Sequence, residues 1–267
     1  MRDFKKIPYT FLIGLCLFFV FQAMIINSKP FWKWAYLYSD DFDTNDGIIF
    51  ESQLRTMPEE SGQKKVFLIG TSLTQEGLDV NYFNSALQRS GACFYKLGFH
   101  NGSMLFSMFM QKDKLLREKP YAMICIVSGG SRGERPSDFA RNTMKYYFDP
   151  IIAYYMVRYL GFYETLTYSN SFIDSLMGEA LPLYRFRDSW SNIITNWVKG
   201  RKMARKEALE IAKEQIGAAT DSANKMESDS DRQNLINHYS EMNKHLFYLF
   251  AEEVMSKGVR FVVIEAP

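Results

Sequence analysis

Apolar and polar positions divide the chain into three stretches. Residues 7–26 are almost wholly apolar and carry no charge. A bilayer-spanning helix needs about 20 such residues, so the spacing predicts one transmembrane helix. Residues 39–63 are polar and mixed, with Asp40, Asp41, Asp43, Asp46 and Gly47, and predict a linker with a short helix near residues 50–55. From residue 64 onward, short β-branched or apolar runs alternate with segments of helical period. Strands are predicted at 65–69, stopped by Gly70, and at 92–97, followed by Gly98 and Gly102 in a turn. A third is predicted at 121–127, a continuous apolar run suited to a parallel sheet buried on both faces, and a last one at 259–264. Between the first two, Asp79 is the expected N-cap of a helix with Val80, Phe83 and Leu87 on one face. A second helix at 104–118 should stop before Pro120. A long helix at 231–256 has capping-box spacing at Ser230 and Gln233. It places Leu235, Tyr239, Met242, Leu246, Leu249 and Phe250 on its buried face and ends at Gly258. This alternation predicts an α/β fold with a parallel sheet.

Arg2, Lys5 and Lys6 precede the apolar run, and the positive-inside rule puts them in the cytoplasm. The chain beyond residue 27 is then expected outside the cell's inner membrane. Phe31, Trp32, Trp34, Tyr36 and Tyr38 are placed as an interfacial aromatic belt would be. Pro8 falls in the first turn, where proline is tolerated. The alternative is a cleaved signal peptide, but its apolar core is usually shorter and no A-x-A site is present after it. The expected organisation is a signal-anchor at 1–27, a juxtamembrane linker at 28–63 and an α/β domain at 64–267. A helical insertion interrupts that domain at about 139–230.

The insertion is dense in aromatics, among them Tyr154, Tyr155, Tyr159, Phe162, Tyr163 and Phe172. Two readings stand: a cap packed on the sheet, or a surface that rests on the bilayer or covers a substrate groove. Lys199, Arg201, Lys202, Arg205 and Lys206 precede Glu207, Glu210 and Glu214, a mixed-charge solvated helix rather than a polyanion site. A net charge of +2 argues against a nucleic-acid binder, and 47% hydrophobic residues suffice for a sizeable core. The cysteines, Cys16, Cys93 and Cys125, have no C-x-x-C spacing, and no metal or cofactor is expected. Leu15 stands where a lipidation signal at Cys16 would need a small residue. Cys93 and Cys125 fall in predicted strands as small buried residues, with a disulfide between them left open.

Candidate chemistry concentrates in residues 66–74, V-F-L-I-G-T-S-L-T. A serine just past a strand, at a turn toward a helix, is exposed at the C-terminal edge of a sheet, where open α/β folds bind ligands. Ser72 is therefore a candidate nucleophile. The plainer alternative is that Thr71 or Ser72 caps a turn.

Gly70-Thr71-Ser72-Leu73 after a strand resembles the first block of the SGNH (GDSL-type) hydrolases, with Thr71 in place of the usual aspartate. The variation is similar to that in membrane-anchored branches acting on cell-envelope polymers. Residues 96–103, K-L-G-F-H-N-G-S, resemble the second block, and the resemblance maps its oxyanion-hole glycine onto Gly102. The 183–188 stretch, L-Y-R-F-R-D, is also similar to anchored relatives. What the resemblance implies is a flavodoxin-like three-layer parallel sheet. It further implies a serine esterase or O-acyltransferase acting on ester-linked acyl groups of envelope carbohydrate, alone or with a membrane-bound O-acyltransferase partner. Ser72 would attack, and the amides of Ser72 and Gly102 would hold the oxyanion.

Two departures bear on activity. The third block, G-x-N-D, is replaced by Ser128-Gly129-Gly130-Ser131-Arg132-Gly133, which has no asparagine. The D-x-x-H block that comes after the family's last strand has no counterpart before Glu265-Ala266-Pro267. The domain is expected to be incomplete there and the chain as written to turn over little ester. His238 and His245, on the last helix, are expected to pack or face solvent. His100, beside the presumed oxyanion turn, is the remaining candidate base. Asn101-Gly102-Ser103 matches a glycosylation acceptor by coincidence. The alternative function is a non-catalytic envelope protein that uses the same fold to bind a glycan or an acyltransferase.

Overall fold

The structure, a computed structural model, describes residues 9–39, 46–57, 62–70, 74, 77–98, 108–109, 111–128, 149–200 and 229–266. Three helices lead in: α1 (Tyr9–Ile26), α2 (Lys29–Tyr38) and α3 (Asp46–Thr56). Then come β1 (Lys64–Gly70), α4 (Val80–Ala86), a 3₁₀ turn, β2 (Ala92–Gly98), α5 (Lys112–Arg117) and β3 (Ala122–Ser128). Five helices come next: α6 (Pro150–Leu160), α7 (Phe162–Thr167), α8 (Ser169–Ala180), α9 (Pro182–Arg185) and α10 (Arg187–Val198). The described chain closes with α11 (Asp229–Ser256) and β4 (Arg260–Ala266).

The four strands form one all-parallel sheet in the order β2-β1-β3-β4, so the fold is α/β. The predicted strands differ from the observed ones by one or two residues at their ends. Asp79 caps α4, its carboxylate accepting from the Asn81 and Tyr82 amides. Gly258, at φ 77°, ends α11. Its N–H donates to Met255 O and that of Val259 to Val254 O, the pair of bonds that defines a Schellman motif.

Register puts Phe67, Tyr95 and Met123 on one face, with Ile69, Leu97 and Cys125 a step further along. These residues join Phe50 and Met57 of α3 and Tyr239, Met242, Leu246 and Phe250 of α11 in the main core. On the opposite face Val66 and Leu68 are buried, and Phe83 of α4 packs on Phe94. Helices therefore cover both faces, and β1, in the middle of the sheet, is buried on each as its continuous apolar run requires. β4 differs: Val262, Val263 and Ile264 are each nearly half exposed at the sheet's edge.

Cys93 and Cys125 are free and buried. They face the same side from strands separated by β1, Cys93 opposite Lys65 and Cys125 opposite Ile69. Two strand spacings alone exceed 9 Å by the usual ~4.8 Å interval, beyond the reach of a disulfide.

α2 and α3, which fall within the predicted juxtamembrane linker at 28–63, contribute to a second core. Trp32, Ala35, Ile48, Ile49, Phe186 and Ile193 are buried there together with Ile26. Trp32 is thus an interior residue rather than part of an interfacial belt, and of the five belt aromatics only Tyr36 is exposed. The physical reason is a set of bonds that linker composition hides. Trp32 Nε1 donates to Ile26 O at 2.6 Å and Arg55 Nη1 to the same oxygen at 2.9 Å, a cation at the C-terminal end of α1. Arg55 also lies over the Trp32 ring. Among the described residues no single helix is long and apolar enough to cross a membrane. The segments Phe11–Ile26 and Lys29–Tyr38, bent by 71°, meet length and composition together.

Candidate functional site

The sheet order reverses at β1: the chain steps to β2 on one side, then returns to β3 on the other. Such a reversal opens a crevice at the C-terminal ends of the central strands, because the connections beyond them diverge to opposite faces. Gly70 and Gly98 are register partners. The connections after β1 and β2 therefore leave the sheet side by side and at one level. Gly70 also pairs with Ile126, and β3 runs two residues further, to Ser128, opposite Ala266 of β4.

The exit of β1 is tightly packed. A Cβ on Gly70 would lie 1.8 Å from Thr74 Oγ1 and 2.6 Å from the Ile126 carbonyl oxygen. Glycine is required because Thr74 folds back onto the strand end. Thr74 is fully buried, and its Oγ1 has no hydrogen-bond partner among the described residues. A buried hydroxyl left so costs about 1–3 kcal/mol. Three residues separate Gly70 from Thr74, yet the two touch.

Ser72, the candidate nucleophile, lies outside the described residues with Thr71 and Leu73. So do His100, Gly102, Asn101 and Arg132. Gly70, Thr74 and Gly98 flank these segments in the described chain. His238 is exposed on α11. His245 is half-buried and packs against Tyr155 and Tyr159 with tilted rings, centroids 4.8 and 6.1 Å away, a packing role. Among the described residues no three of His, Cys, Asp and Glu converge as metal ligands. Clefts among the described residues run along the outer edge of β2, one between Gln63, Asn81, Asn84 and Gln88, the other past Tyr36, Gln53, Val80 and Lys96.

Titratable groups elsewhere are committed to structure. Burial pushes the Cys125 thiol up to about 12, which removes it as a nucleophile. Tyr168 and Tyr239 share a buried hydroxyl–hydroxyl bond, and burial raises both. Sequence reading missed Glu51, which is buried in α3 and accepts from Arg55 Nε at 2.6 Å and Lys114 Nζ at 2.5 Å. Burial alone would raise its carboxyl, but Lys114 and Arg55 prevail and hold it at about 2. Burial draws Lys114 below its ordinary range, with Glu51 opposing. The i,i+4 spacing of Glu51 and Arg55 was the available signal. Nothing in sequence pointed to Lys114, which arrives from α5.

No protein-family model matches the chain, and no curated protein or solved structure matches it significantly.

Proposed function

We propose that the chain is a membrane-anchored serine esterase or acyltransferase of the SGNH type, with a flavodoxin-like arrangement of its sheet. It would act on ester-linked acyl groups of an envelope carbohydrate. The carrying observation is the level exit of β1 and β2, with Gly70 and Gly98 in register, beside the β1/β3 switch in strand order. In this reading Ser72 stands in the crevice at the β1 exit as nucleophile. The amides of Ser72 and Gly102 face the developing oxyanion, and His100, from the adjacent connection, takes the proton. The strand order β2-β1-β3-β4 supports the flavodoxin-like assignment, since that fold begins 2-1-3-4. The apolar helix α1 is the anchor, with its N-terminus cytoplasmic and the α/β domain on the opposite side. A membrane-bound O-acyltransferase is the partner that an acyl-transfer role would require.

The reaction balances as acyl transfer. The serine oxygen bonds to the ester carbonyl carbon, the alcohol leaves with the proton taken from Ser72, and water or a second hydroxyl later receives the acyl group. The full chain, held in detergent or nanodiscs, should react with a fluorophosphonate at Ser72, located by mass spectrometry. Hydrolysis of an activated acetyl ester should be slow, since residues 128–133 lack the resembled family's asparagine and its D-x-x-H block has no counterpart before Glu265-Ala266-Pro267. Ser72→Ala should abolish both, and His100→Ala should lower turnover by about 10²–10⁴-fold, the usual contribution of a general base. Labelling elsewhere, or turnover that survives Ser72→Ala, would refute the assignment.

A second reading, a non-catalytic glycan- or partner-binding protein, rests on the chemistry of the motifs. Thr71 stands where the resembled family has aspartate, and residues 128–133 lack its asparagine. Absence of labelling at Ser72, together with saturable binding of an acylated glycan, would favour it.

A further inference from the structure

We infer that the helical insertion is a membrane-docking platform whose outer faces on α8 and α10 rest in the lipid interface beside α1. The inference rests on the proposed anchoring of α1. It goes beyond it by assigning a bilayer contact to a separate part of the domain.

The first observation is an inversion of polarity. α8 buries Ser175 and Gly178 and turns Ile173, Leu176 and Met177 outward, exposed by 57%, 49% and 40%. Positions 173, 176, 177 and 180 form one stripe at helical spacing, so α8 carries an apolar stripe on its outer side, while Phe172 packs inward on the main core. α7 repeats the pattern, burying Thr165 and exposing Phe162, Tyr163 and Leu166. α10 exposes Ile194, Trp197 and Val198. An apolar face that large is stable outward only against an apolar neighbour.

The second observation fixes depth. Gln22 of α1 is buried, and its Oε1 accepts the Leu183 N–H of α9. It lies four residues before the end of α1, about one turn or 5.4 Å back along its axis. α9 thus meets the apolar helix about a turn inside it, close to the depth at which interfacial helices settle, roughly 5–10 Å. α8 is packed on α9, with Gly178 so close to Arg185 that a Cβ there would meet its side chain at 3.2 Å. The third observation is direction. α2 is bent 71° from α1, so an upright α1 lays α2 close to the membrane plane. α2 presents Lys29, Lys33, Tyr36 and Leu37 at i, i+4, i+7 and i+8 on its exposed side, cations and an aromatic suited to headgroups. α10 is tied to α2 through Asn196 Nδ2 donating to Tyr38 O and through Trp197 edge-on to Trp34.

The test uses the full chain in vesicles of phosphatidylcholine and phosphatidylglycerol, with and without acyl-chain bromination. Exposed Cys16 is replaced by alanine, and bimane is placed singly through Leu176→Cys, Val198→Cys or, as control, Tyr82→Cys on α4. Each labelled chain is accepted only if its melting curve matches the unlabelled one. Brominated lipid should remove most of the emission at 176 and 198 and leave 82 unchanged. Labels at 176 and 198 as bright as at 82, in a chain that alkaline carbonate does not release, would overturn the docking and leave the anchor standing. Labels shielded from both brominated lipid and aqueous iodide would overturn it in favour of a protein partner on that face. Release of the chain by carbonate would end the anchor reading, and the docking with it.

Discussion

α11 and α8 obey one rule with opposite outcomes. α11 buries Tyr239, Met242, Leu246 and Phe250 against the sheet and exposes His238, Glu241 and Lys244. α8 buries Ser175 and Gly178 and exposes Ile173, Leu176 and Met177. Both have helical periodicity, so neither period nor amphipathicity distinguishes them. They differ in where the apolar face finds its partner. α11 supplies one side of a two-sided core, while α8 packs through small residues, which let helices approach closely, and leaves its apolar face outward. Small residues at the contact and apolar residues outside are what helix packing in an apolar medium produces. In the docking reading the molecule has a half organised for water, the sheet with α4, α5 and α11, and a half organised around α1, with α3 contributing to both cores.

Substitutions should separate the halves by the size of their effect. On the water-organised side, Phe250→Ala removes a fully buried ring that packs on Phe261 and should cost about 3–5 kcal/mol in denaturant unfolding of the detergent-solubilised chain. A loss under 1 kcal/mol would mean that α11 is not part of the core.

Glu51→Gln should cost less, about 1.5–3 kcal/mol, because it removes the charge that accepts from Arg55 and Lys114. It should also change the acid limb. The Glu51 carboxyl is held at about 2, below its ordinary 4.5. Its contribution is therefore complete above pH 4.5 and is lost as pH falls toward 2. The wild-type chain should lose stability across that window more steeply than Glu51→Gln. Parallel acid limbs would show that Glu51 carries none of the acid dependence.

Gly70→Ala should cost about 1–3 kcal/mol by overpacking, because its Cβ meets both Thr74 Oγ1 and the Ile126 carbonyl. Any activity at Ser72 should fall further than stability does, since Gly70 and Thr74 flank Ser72 in the chain. Equal losses would leave Gly70 a purely structural residue.

The smallest effect should come from the other half. Leu176→Ser, at an exposed position on α8, should leave unfolding in detergent within about 0.5 kcal/mol while weakening association of the insertion with vesicles. A core-sized loss of stability would show that the outer face of α8 is covered by protein, and would erase the contrast with α11.

Much of the water-organised half was legible in the residues. The strand at β1 is readable from V-F-L-I before Gly70, and the helix stop at Gly258 from a glycine at C′. Asp79 was legible as a cap because capping is decided within three residues. The buried face of α11 followed from its period. For the candidate site, sequence singled out the β1 and β2 exits, and the register between Gly70 and Gly98 places those exits together. That Thr74 packs on Gly70 was not legible, since such contact depends on how a connection folds back. The second core was not legible, because Trp32, Ile48 and Ile49 share it with Phe186 and Ile193, which are distant in sequence.

By itself the sequence determined what short-range physics controls: the four strands, the cap at Asp79, the helix stop at Gly258, and that residues 7–26 are almost wholly apolar and uncharged. Tertiary structure decided what depends on partners far apart in the chain. It set the order β2-β1-β3-β4, brought Lys114 to Glu51, docked the last turn of α1 on α9, and chose the outer face of α8. The physical reason is that period and propensity act over a few residues, whereas strand order, ion-pair closure and the polarity of a helix's surroundings depend on contacts that no local window contains.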